Sequence, residues 1–143
     1  MAGIMNFFQE RKDWGPAVLR IFLGVGFLVA GIDKILGLSM ARDMFGQLFG
    51  PGLAWLVYVA IVIEIVCGGA LILNRKVRES AAILAVFIVV AFIMTFKLGA
   101  APNFIATLRE IMVMNTGGGN TAVNFAYFAG LLALAFMGSK GSK

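Results

Sequence analysis

Glu64 stands near the middle of the apolar run LAWLVYVAIVIEIVCGGALIL, residues 53–73. A charged carboxylate at the centre of a membrane-length helix costs about 2.5–3.5 kcal/mol on insertion scales, so such a group faces a partner, a water-filled cavity or a ligand. Ala60 lies four residues before it and Gly68 four after, with Gly69 next. On a helix these positions form a small–carboxylate–small face. That face suits close helix packing or a narrow cavity beside the acid, where the carboxylate binds a polar oxygen or exchanges a proton. A second face belongs with it. Arg20, Gly24, Phe27, Gly31 and Lys34 follow in steps of 4, 3, 4 and 3, which places all five on one side of a helix. Gly24 and Gly31 admit a close backbone. Arg20 is expected either to snorkel or to pair with an acid in the bundle, and Lys34, beside Asp33 at the other end, to reach headgroups.

Residue content removes several chemistries. The chain has no histidine and a single cysteine, Cys67. Histidine-ligated haem or copper and Ser-His-Asp catalysis are therefore beyond this chain alone, and no metal ligand set is expected. A dithiol relay needs a second cysteine. Cys67, beside Gly68 and Gly69, reads as a small packing residue. Electrons in any redox role must come from a quinone, a bound flavin or a partner subunit.

The elements that position these residues are membrane-length. Of 143 residues, 61% are hydrophobic and 13% charged, against about 45–50% apolar in soluble domains. Apolar stretches at 16–32, 53–73, 80–96 and 121–137 approach the span of about 17–25 residues that crosses a bilayer. The expected fold is an all-α integral membrane protein of one domain, 1–143: an antiparallel four-helix transmembrane bundle with short interfacial helices on the outer side. The first run ends in GIDK rather than a small-residue cleavage site, so it is expected to remain as a span. Residues 39–48 predict one interfacial helix, capped by Ser39 and carrying Met40, Met44, Phe45 and Leu48 on one side. The 3.6-residue pattern of Phe104, Leu108 and Ile111 predicts another over 103–114, starting at Asn103. Residues 1–13, with Ile4, Met5, Phe7 and Phe8 followed by Arg11, Lys12 and Asp13, fit a short interfacial segment with a basic end. Asn124 is the one strongly polar residue of the last run, with Tyr127 three residues on.

Charge placement predicts topology rather than nucleic-acid binding. With four spans, Arg11, Lys12, Arg20, Arg75, Lys76, Arg78, Lys140 and Lys143 share one side, while Lys34, Arg42, Lys97 and Arg109 share the other. Positive charge accumulates on the cytoplasmic side, which places both termini there in a multi-pass cell-membrane protein.

Taken together, LRIFLGVGFLVAGIDKILG (19–37), FGQLFGPGLAWL (45–56), IEIVCGGALIL (63–73) and FAGLLALAFMG (128–138) resemble the DoxX family. These are small bacterial and archaeal membrane proteins of four transmembrane helices. The chain departs from the family pattern in the last helix, where Val123 and Asn124 occupy a region that often carries an acid, and in its basic tail. The resemblance implies a redox setting: terminal quinol oxidase, thiosulfate:quinone oxidoreduction or related membrane assemblies.

Three functional classes follow. The first is a subunit of a quinone-linked oxidoreductase, with Glu64 and Arg20 as the chemical pair and Gly24, Phe27, Gly68 and Gly69 beside a quinone ring; its partners would be redox subunits or further copies of the chain. Within it, Lys34, Arg42, Lys97 and Arg109 form a weaker candidate set for an anionic sulfur substrate. The second is a structural or assembly subunit in which Glu64 and Arg20 fix helix register. The third is a small transporter or lipid-binding protein that uses the intramembrane acid as a proton relay.

Overall fold

An apolar run inside a bilayer has no water to satisfy its peptide groups, so it must bond internally as helix. A computed structural model of the chain describes residues 2–95, 103–112 and 121–138. Seven α-helices occur there: α1 Ala2–Glu10, α2 Gly15–Leu36, α3 Leu38–Phe49, α4 Leu56–Ile72, α5 Val77–Thr95, α6 Phe104–Met112 and α7 Thr121–Met137. No strand is found among the described residues. The β-branched residues of α5 are helical, as bilayer length and continuity predict. Among the described residues, three stretches are long and apolar enough to cross a membrane: Lys12–Leu36, Pro51–Ile72 and Val77–Met94. The fourth expected span, α7, is a 17-residue apolar helix.

The helices associate as two close pairs, α2 with α4 and α5 with α7. Glycine sets the first. A Cβ on Gly24 would lie 2.7 Å from the Gly68 carbonyl oxygen, and one on Gly68 would lie 2.9 Å from the Gly24 carbonyl oxygen. The two backbones therefore touch, as the small-residue face of α2 predicts. A Cβ on Gly31 would lie 2.6 Å from Ile65 Cγ1, so the contact continues up the helices in antiparallel register. Leu23, Phe27, Cys67, Leu71, Leu84, Ile88, Leu131 and Leu134 join the two pairs in one core. Outward positions stay apolar: Phe22, Val62, Val86, Ile93 and Phe136 are all exposed. A belt of that kind fits lipid better than water.

Connections follow local chemistry. Pro16 sits in the first turn of α2, where its missing N–H removes no helix bond. Helix α3 begins at Leu38, directly after α2, and not at a Ser39 cap. Ser39 lies inside its first turn, and the break is made by Gly37, whose N–H donates to the Asp33 carbonyl at 2.9 Å. Gly50, at φ 106°, ends α3 in a conformation that favours glycine, and a 3₁₀ turn Pro51–Leu53 leads toward α4. The start of α6 is as predicted: Asn103 Oδ1 accepts from the Ala106 N–H at 2.8 Å, an N-cap bond.

Candidate functional site

Two cations on the same face of α2 meet different parts of α4. In an antiparallel pair, each side chain leans toward the N-terminus of its own helix. Lys34 therefore leans back toward the level of Glu64, and Glu64 leans forward to meet it. Lys34 Nζ lies 2.8 Å from Glu64 Oε1 and donates a hydrogen bond to Oε2 at 3.1 Å. Glu64 is 3% exposed. Its Oε1 faces the ammonium ion but accepts no hydrogen bond among the described residues.

Arg20 leans the same way along α2, which carries it away from Glu64. Its Nη1 donates to the carbonyls of Leu71 at 2.6 Å and Ile72 at 2.9 Å. These belong to the last turn of α4, where carbonyls lack helix partners and carry the negative end of the helix dipole. Arg20 is thus a buried C-terminal cap. The expected Arg20–Glu64 pairing is replaced by Lys34–Glu64, because about two helical turns separate Glu64 from the carbonyls that Arg20 holds. Likewise, Lys34 is turned inward instead of reaching headgroups.

Beside the pair lies a cavity of about 500 Å³, within the range of about 300–1,000 Å³ typical of small-molecule sites. Five helices line it. Phe27 and Lys34 come from α2, Phe45 and Phe49 from α3, Glu64 from α4, Phe87 and Met94 from α5, and Asn124 and Tyr127 from α7. Phe27 and Tyr127 meet in a tilted contact with ring centroids 5.3 Å apart. Gly26 leaves room for the Tyr127 hydroxyl, which would lie 3.0 Å from a Cβ there. The chamber is apolar and aromatic, with the ion pair, Asn124 and Tyr127 as its polar handles.

Of the residues expected beside a ring, Phe27 lines the chamber. Gly24 and Gly68 do not leave a slot, because each is filled by the other's backbone. Gly69 faces open space, with no atom within 4 Å of an added Cβ. The four outer cations are not assembled into one anion site among the described residues. Lys34 is bound to Glu64, Arg42 lines a separate shallow depression with Ser39 and Asp43, Arg109 lies on α6, and Lys97 falls outside the described residues. The α3 contribution was not foreseen. Met44, Phe45 and Leu48 roof the chamber, whereas Met40, expected on the same side, is exposed and does not line it. Amphipathic spacing identifies that apolar side but cannot distinguish lipid beneath it from a cavity.

No curated protein and no solved structure matches the chain. The DoxX family model matches residues 15–97. That interval covers more than half of the sequence and includes both the α2 glycine face and the Glu64 helix, and the chain belongs to the DoxX family.

Proposed function

We propose that this protein is a membrane subunit of a quinone-linked oxidoreductase and that its chamber holds the quinone head. The observation that carries this reading is the joining of a buried Glu64–Lys34 pair to an aromatic cavity of about 500 Å³. The residues fit such a ring. Phe27, Phe45, Phe87 and Tyr127 supply aromatic walls. Lys34 Nζ is a donor for a ring carbonyl oxygen, and Glu64, whose Oε1 contacts only the Lys34 ammonium among the described residues, has a lone pair left as an acceptor for a ring hydroxyl. A bound quinone supplies two-electron, two-proton chemistry, with electrons delivered by a partner redox subunit. Glu64 holds or releases a proton at Oε1, Lys34 orients the ring, and the aromatic walls exclude water. Arg20 has no place at the ring; it positions the end of α4.

The wider arrangement belongs to the same proposal. Helix α7, at about 1.5 Å per residue, is about 25 Å long, close to the hydrocarbon thickness of about 30 Å, and serves as the fourth span. The basic turn between α4 and α5 and both termini face the cytoplasm. Replacing Arg75 with cysteine in a Cys67→Ala background gives a thiol labelled from the cytoplasmic side; labelling from outside would reverse the topology.

Organic extraction of the purified protein tests the function. The wild type is expected to carry an isoprenoid quinone, and Glu64→Gln to lower its occupancy about tenfold, the equivalent of about 1.4 kcal/mol. The 2.8 Å ion pair also supports a purely structural reading. Under it, the wild type carries no quinone and Glu64→Gln changes stability alone.

A further inference from the structure

A second, smaller cleft adjoins the chamber. It measures about 210 Å³ and lies among α5, α6 and α7. Val89, Phe92, Ile111 and Phe125 form its walls, and Ile88 and Asn124 line both this cleft and the chamber. The shared residues make the two spaces neighbours through one wall. Ile88 is 5% exposed, whereas Val89 is 39% and Phe125 43% exposed. The cleft therefore runs from the core to the apolar exterior of the helices. Asn124 is the only polar residue along it among the described residues.

We propose that this cleft is the lateral portal of the chamber, occupied by the apolar isoprenoid chain of the same quinone whose head lies beside Glu64 and Lys34. The inference rests on the quinone reading above and adds the direction of approach: between α5 and α7, under α6, past Asn124. An amphipathic ligand of this class partitions into the bilayer and has no need of an aqueous path. Its ring must pass from lipid to a buried ion pair, and its chain must remain in apolar surroundings. The cleft provides apolar walls on the exterior side, and Asn124 provides a hydrogen-bonding group where the ring leaves them. The roof formed by α3 covers a different side of the chamber, so the ring enters without displacing Phe45 or Phe49.

Two photoreactive quinones test this in the full chain reconstituted in lipid nanodiscs, one with a diazirine on the isoprenoid chain and one on a ring substituent. Labelled peptides are mapped by mass spectrometry with and without excess unlabelled quinone, so that only competed labelling counts. The chain probe is expected to label Val89, Phe125 or their neighbours, and the ring probe the chamber around Phe27 and Phe45. Val89→Trp, which fills the cleft from a partly exposed position, should lower competed chain labelling there about tenfold and slow ring labelling of the chamber, since the ring passes the same cleft. Phe125→Trp narrows the same cleft from α7 and serves if the first variant misfolds. Ring labelling in the chamber with chain labelling elsewhere, or chain labelling indifferent to both variants, overturns the portal alone. Failure of the ring probe to label the chamber overturns the quinone reading and the portal with it.

Discussion

Helices α2 and α4 form one continuous interface whose two ends do different work. At one end Arg20 closes α4 by binding its final carbonyls, and nearby Arg78 donates to the Phe136 carbonyl at the end of α7. At the other end Lys34 binds the buried Glu64 in the wall of a cavity. Both α2 cations lie on the same helical face, separated by the glycine crossing. What α4 presents at each level decides the outcome: orphan carbonyls at its C-terminus, a carboxylate in its middle. A cation at a helix terminus completes the backbone. A cation beside an acid and an open space leaves polar groups facing a cavity.

The sharpest way to break this contrast is to remove each cation in turn. Lys34→Met leaves Glu64 buried without its ion partner, and the expected loss of stability is about 3 kcal/mol, in the range for breaking buried pairs. Adding Glu64→Leu should recover most of it, because the uncompensated charge is gone. Denaturant unfolding in mixed micelles, followed by circular dichroism, checks both. A double variant as unstable as the single would show that Lys34 contributes packing rather than charge pairing. Gly24→Leu attacks the crossing between the two ends. Its Cβ meets a carbonyl oxygen that cannot move without shifting α4, so a loss of about 3 kcal/mol is expected, the upper part of the overpacking range.

Much of this was legible in residue spacing. The 4-3-4-3 face of α2 predicted the close approach, and the position of Glu64 predicted a buried carboxylate with a partner. The choice of partner was harder to read, since both Arg20 and Lys34 share that face. Helix direction resolves it. In antiparallel helices, Cβ lean carries Lys34 toward Glu64 and Arg20 away from it, so knowledge of the α2–α4 pairing was required first. A narrow cavity beside the acid was one of two readings of the α4 face, but the size and lining of the chamber were not legible, because they depend on α3, α5 and α7 failing to fill a common volume. Asn124 and Tyr127 stood out individually, but nothing in one sequence places them opposite Glu64.

Arg20→Met should have a smaller effect than Lys34→Met, about 2 kcal/mol, set by charge-assisted hydrogen bonds to two carbonyls. The Leu71 carbonyl keeps its bond from the Asn74 N–H, which limits the loss. The same unfolding measurement gives the value, while quinone occupancy of the folded fraction should stay unchanged. A fall in occupancy matching that of Glu64→Gln would join the two ends functionally and end the contrast.

The smallest effect belongs to Gly69→Ala, and it tests the geometry most closely. Gly68 and Gly69 are adjacent and identical in type, yet about 100° apart around α4. Gly68 touches the Gly24 backbone, whereas a methyl group on Gly69 meets nothing within 4 Å. Alanine also removes glycine's entropic penalty in a helix, about 0.5–1 kcal/mol. Gly69→Ala should therefore leave stability unchanged or raise it by about 0.5 kcal/mol, with quinone occupancy intact, while Gly68→Ala destabilises. Equal damage from both would mean that the Gly69 face is itself packed, against a second copy or another subunit, and that the α2–α4 crossing is one of two interfaces built on this glycine pair.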